Sequence, residues 1–131
     1  AIITMTVNCS DKPVVDDCTD YDFSDCYLEE PMEAPFVVKL TINEENPEVP
    51  VVIFKGGFEK KDTIFQDTLI DALLRIDLPL NQYYSVAATY KDGKKTVHAL
   101  DGDDHIKNGY IICEEDCWTI EPGKAVVRYE F

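Results

Sequence analysis

The chain has 131 residues, an apolar fraction of 45% and a formal net charge of −14. Its length suits a single domain built on one core, and the absence of any run of eighteen apolar residues argues against a membrane-spanning helix. So strong a negative field repels phosphate backbones and anionic membrane surfaces, which makes nucleic acid a poor partner and leaves cations, basic proteins or plain solubility as what the charge serves.

The acids are unevenly spread. Residues 1–34 hold nine of them against Lys12 alone, which leaves a net of −6 for the rest of the chain. Between Ser10 and Pro35 the apolar residues follow no period and prolines stand at 13, 31 and 35, so this part reads as a loop-rich acidic leader. A β-sandwich domain is predicted for residues 35–131. It opens with Phe36, Val38, Leu40 and Ile42 alternating with Val37, Lys39, Thr41 and Asn43, the pattern of a half-buried strand. Residues 49–55 are nearly continuous apolar, as suits a strand covered on both faces, and Gly56-Gly57 permits a tight connection. A strand follows over residues 63–70, although Phe65, Leu69, Ala72, Leu73 and Ile76 also fit a helical period.

Alternation returns with Ala72, Leu74, Ile76 and Leu78, breaks at a Pro-Leu-Asn-Gln corner, and resumes with Tyr84, Val86, Ala88 and Tyr90. The turn Lys91-Asp92-Gly93-Lys94 predicts a hairpin to a strand over residues 95–99, followed by a polar loop over residues 101–105. Short strands are expected at residues 110–113 and 117–120. A closing strand carries Ala125, Val127, Tyr129 and Phe131 on one face. Seven or eight short strands separated by turns point to an all-β antiparallel sandwich. Leu78 and Tyr84, six apart across a proline-containing corner, resemble the corner of immunoglobulin-like and fibronectin type III-like sandwiches. That resemblance implies a Tyr84 hydroxyl tied back to the corner.

Five cysteines in so short a chain suggest an oxidising compartment. Spacing pairs Cys18 with Cys26 and Cys113 with Cys117, each closing a small loop, and leaves Cys9 over. With Ser10-Asp11-Lys12 and Asp16-Asp17 behind it, Cys9 resembles the lipidated first residue of small surface lipoproteins of Bacteroidota. The resemblance implies that residues 1–7 are the tail of a signal sequence and that the protein is anchored by lipid at the cell surface. Thr6 and Asn8 depart from the aliphatic and small residues that a lipidation signal places there. A second reading stays open, in which Ile3, Met5 and Val7 alternate with Thr4, Thr6 and Asn8 as an edge strand. Either way the protein is expected outside the cytoplasm.

For chemistry, Ser10, Ser24 and Ser85 lack a nucleophile setting, and the acids flanking Cys113 and Cys117 oppose a thiolate. His98, Asp101, Asp103, Asp104 and His105 are the cluster whose residue types could hold a cation, calcium first, and no other cofactor is expected. Exposed rings at Tyr83, Tyr110 or Trp118 would serve a glycan, whereas Trp118 beside a cysteine reads first as core. The expected function is a non-enzymatic interaction or accessory module at the cell surface or secreted, with a protein or glycan partner. A small glycan-binding domain is the alternative, and an enzyme using two carboxylates across a cleft is the third reading.

Overall fold

The structure is a computed structural model that describes residues 26–130. Contacts divide the chain into two compact units, a larger one of Pro31–Asn108 with Ile120–Phe131 and a smaller one of Ala1–Glu30 with Gly109–Thr119. Among the described residues there are eight strands: β1 (Glu33–Leu40), β2 (Val49–Lys55), β3 (Thr63–Leu69), β4 (Leu73–Pro79), β5 (Gln82–Asp92), β6 (Lys95–Ile112), β7 (Glu115–Glu121) and β8 (Lys124–Val127). A 3-10 turn, Phe58–Lys60, lies between β2 and β3. The fold is an all-β sandwich of a three-stranded sheet, β4-β1-β8, and a five-stranded sheet, β3-β2-β5-β6-β7.

The alternation read from sequence is what builds this core. Phe36, Val38 and Leu40 of β1, Val49, Val51 and Ile53 of β2, Tyr84, Val86, Ala88 and Tyr90 of β5, and Ala125 and Val127 of β8 are all buried in one cluster. Period two puts each set on one side of its strand, and the two apolar sides can leave water only by facing each other. The helical period at residues 65–76 loses to this arrangement, because Phe65, Leu69, Leu74 and Ile76 all pack against the cluster from β3 and β4.

Three tyrosine and histidine side chains pin the layers. Tyr84 donates its hydroxyl to the Pro79 carbonyl at 2.6 Å, so the tie across the β4–β5 corner is present as expected. Burial, and then the charge of Glu33, hold that hydroxyl above the usual tyrosine pKa. Tyr90 donates to the Val127 carbonyl and accepts from the Thr41 amide at 3.0 Å, joining β5 to the ends of β1 and β8. His105 stands against Phe36 and Tyr84, with ring centroids 5.5 and 6.0 Å away.

Several expectations need correction. Residues 101–105 are not a loop: β6 runs unbroken from Lys95 to Ile112 and pairs residue for residue with β5, from Asp92↔Lys95 to Gln82↔His105. Its inner face turns polar at Asp101, and this hid the strand. β2 is covered on one face only, since Pro50 is exposed and Val52 and Phe54 are half-buried. The closing strand stops at Val127, and it runs parallel to β1. The cysteine pairing also differs, because Cys26 is bonded to Cys117 across 91 residues of sequence. Cys113 is disulfide-bonded as well, so the pairs Cys18–Cys26 and Cys113–Cys117 are both ruled out. Short spacing favours a pair only when nothing else brings thiols together, and here backbone pairing does so. Tyr27 and Trp118 form an antiparallel bridge with two 2.8 Å hydrogen bonds, which sets the neighbouring Cys26 and Cys117 with Cα atoms 5.5 Å apart. Closing so long a loop restricts the unfolded chain by about 4–5 kcal/mol in the loop-entropy model.

Candidate functional site

Strand β6 decides the fate of the expected cation cluster. Regular alternation sends Asp101, Asp103 and His105 to its inner side and His98 and Asp104 to its outer side, so the five residues do not converge. Each inner side chain is already engaged by backbone. Asp101 accepts from the Val126 amide at 2.7 Å, and Asp103 accepts from the Lys124 amide at 2.9 Å with one oxygen and from Asp104 N–H with the other. His105 is completely buried, with Nδ1 accepting from the Gly123 amide at 2.8 Å. That acceptance leaves the ring proton on Nε2, which donates to the Ala34 carbonyl at 2.8 Å. Both nitrogens are therefore committed to the fold.

On the outer side, His98 Nδ1 lies 3.0 Å from the Thr89 hydroxyl. Among the described residues no group of three or more histidines, cysteines or acids could hold a metal ion. The reason is structural: the two β8 amides that face away from β1 need acceptors, and Asp101 and Asp103 supply them. Gly123 completes this corner, where a Cβ would meet Phe36 Cε2 at 2.5 Å and the Asp104 carbonyl at 2.9 Å.

Other expected positions fall as follows. Cys9, Cys18, Ser10 and Ser24 lie outside the described residues. Ser85 is fully buried and donates to the Gly56 carbonyl at 2.6 Å, the role of a satisfied structural hydroxyl. In the smaller unit Tyr110 is exposed, while Trp118 is half-buried beside Gly109, where a Cβ would strike its ring. Tyr83 is in the larger unit, on the outer face of the five-stranded sheet, with its ring laid over Gly102.

That outer face carries the exposed apolar surface of the larger sheet. Cross-strand register aligns Gln66, Val52, Ala87 and Leu100 in one row and Phe54, Ser85 and Gly102 in the next. Leu100 is 57% exposed, Tyr83 41% and Ile64 41%. Sequence reasoning found Tyr83 and missed Leu100 and Ile64. Their signal was an apolar residue at an outward position, readable only once the inward set is known.

An open depression of about 660 Å3 lies at one end of the larger unit, lined by Asn43, Glu44, Glu45, Arg128, Tyr129 and Glu130. Tyr129 donates its hydroxyl to Asp92 at 2.9 Å, and this bond holds its pKa above the usual value. The depression is acidic and broadly open to water, unlike the sheltered cleft in which paired carboxylates do chemistry. Comparison with known proteins finds no matching family model, no matching curated protein and no matching solved structure.

Proposed function

We propose that the protein is a non-enzymatic interaction module acting outside the cytoplasm, and that it binds a partner protein through the outer face of its five-stranded sheet. Exposed Leu100 and Tyr83 on this face, with exposed Ile64 on the edge strand β3, carry this reading, because a face that served only as a solvated wall would gain nothing from large apolar side chains. The Cys26–Cys117 bond supports the compartment, since such bonds persist where thiols are kept oxidised. An immunoglobulin-like or fibronectin type III-like relationship is supported by the Tyr84 tie and by the division into sheets of three and five strands. Surface tethering through Cys9, as in the lipoproteins of Bacteroidota, is part of the same proposal. The glycan alternative gains less, because register sets Asp104 opposite Tyr83, and its ring lies over Gly102 rather than in a strip of rings.

Photo-crosslinking in the native host tests the proposal. A crosslinking residue at Leu100 or Ile64 should capture a second protein, while one at exposed Glu45, in the connection between β1 and β2, should not. Equal capture at all three positions, or none, would reject the face.

A further inference from the structure

The opposite face of the molecule has a different chemistry. On the outer side of the three-stranded sheet, register sets Arg75, Val37 and Lys124 side by side, and in the next row Leu73, Lys39 and Val126. Cations and apolar residues therefore alternate like a checkerboard across three strands. Arg75 and Lys124 stand two strand spacings apart, about 10 Å, and Lys39 lies about 7 Å further along β1 between them. Among the described residues, no ion pair or hydrogen bond engages the side chains of Lys39, Arg75 or Lys124. Leu73 and Val126 are 43% and 41% exposed. The acids of this face lie to one side of the cluster: Asp77 in the row beyond Arg75, opposite Pro35, and Glu33 in the row after that.

A basic face is conspicuous on a chain of net charge −14. Protection of sheet edges accounts for a cation on β4 or β8, the outermost strands, but not for Lys39 on the central strand β1. Nor does it account for the exposed aliphatic residues interleaved with the charges. From this charge complementarity we infer that the three-stranded face is a second docking surface, and that its occupant is an extended acidic segment of a partner protein with aliphatic residues between its acids.

The interleaving selects among anionic partners. A polyanionic glycan or a nucleic acid presents closely repeated charge and little aliphatic surface, so Leu73, Val37 and Val126 would stay wet beneath it. An anionic membrane would bring its whole surface charge against the −14 of the chain. A short acidic peptide laid over the two rows meets the three cations directly, with Asp77 at its margin, while charges beyond about 8–10 Å are screened at physiological salt. Each acid can pair with one cation while the aliphatic residues between them cover Val37, Leu73 and Val126.

The test uses the full chain and a fluorescently labelled synthetic peptide of alternating glutamate and valine. Binding is expected by anisotropy at low salt, to weaken by about tenfold or more when all three pairs are reversed in K39E/R75E/K124E, and to fall in the milder K39Q/R75Q/K124Q, which guards against misfolding of the first variant. L73S/V126S should weaken binding with an unchanged salt slope. No binding by the wild type, equal binding by the glutamine variant, or tighter binding of heparin or of phosphatidylglycerol vesicles than of the peptide would each overturn the inference.

Discussion

Strands β5 and β6 are paired over eleven residues in one register, yet their inner faces differ. β5 presents Tyr84, Val86, Ala88 and Tyr90, all buried in the apolar core. β6 presents Val97 and Ala99 and then Asp101, Asp103 and His105. The difference follows what each strand faces. β5 lies under the side chains of the opposite sheet, whereas the far half of β6 meets backbone: the amides of Gly123, Lys124 and Val126 and the carbonyl of Ala34. Apolar side chains there would leave four polar groups without partners, at a cost of about 1–3 kcal/mol for each one that stays buried. The polar run in β6 is thus a structural part of the sandwich, and its resemblance to a metal site comes from the same residue types serving a different need.

The largest expected effect comes from breaking that polar run at its buried end. His105→Ala removes both the donor to Ala34 and the acceptor for Gly123 and opens a cavity beside Phe36, so chemical denaturation should show a loss of about 3–4 kcal/mol. A loss below about 1 kcal/mol would mean that β6 is as replaceable there as a surface strand. D101A/D103A should cost less, about 2 kcal/mol, because both carboxylates are only half-buried. Hydrogen exchange sharpens this second case. The Lys124 and Val126 amides should be protected in the wild type and become the fastest-exchanging amides of β8 in the variant, with β5 unchanged.

On the β5 side, Tyr84→Phe should lose about 1 kcal/mol, while the neighbouring Tyr83→Phe should lose under about 0.5 kcal/mol, since the Tyr83 ring is exposed on the outer face. The Tyr84 hydroxyl has a raised pKa in the folded protein, so its contribution is complete below the ordinary tyrosine value near 10 and is lost as pH rises through the higher folded value. Alkaline titration of stability should therefore fall less steeply in Tyr84→Phe than in the wild type. The smallest effect is expected in the smaller unit. There Cys113 and Glu114 occupy the two turn positions between β6 and β7 with φ of 52° and 67°, and Glu114→Gly should relieve strain and raise the melting temperature slightly, by about 1 kcal/mol or less in stability.

Much of the fold was legible because period-two alternation reports a buried face directly. The strand over residues 49–55 was read with its observed bounds, and the corner tyrosine was named before its partner was known. The candidate site was far less legible. Asp101, Asp103 and His105 look the same in sequence whether they bind a cation or cap backbone amides, because both uses ask for the same lone pairs. Leu100 could not be recognised as exposed until cross-strand register assigned it to the outer face.

The sequence by itself determined the all-β class, the sandwich core and most strand positions, since these depend on which residues of one strand share a face, a local property of the chain. Tertiary structure alone decided the Cys26–Cys117 bond, the parallel docking of β8 on β1, the conversion of an apparent cation cluster into backbone caps, and the checkerboard of Lys39, Arg75 and Lys124. All four join residues distant along the chain. Such joins follow from hydrogen-bond register between strands, which no pattern within a single strand encodes.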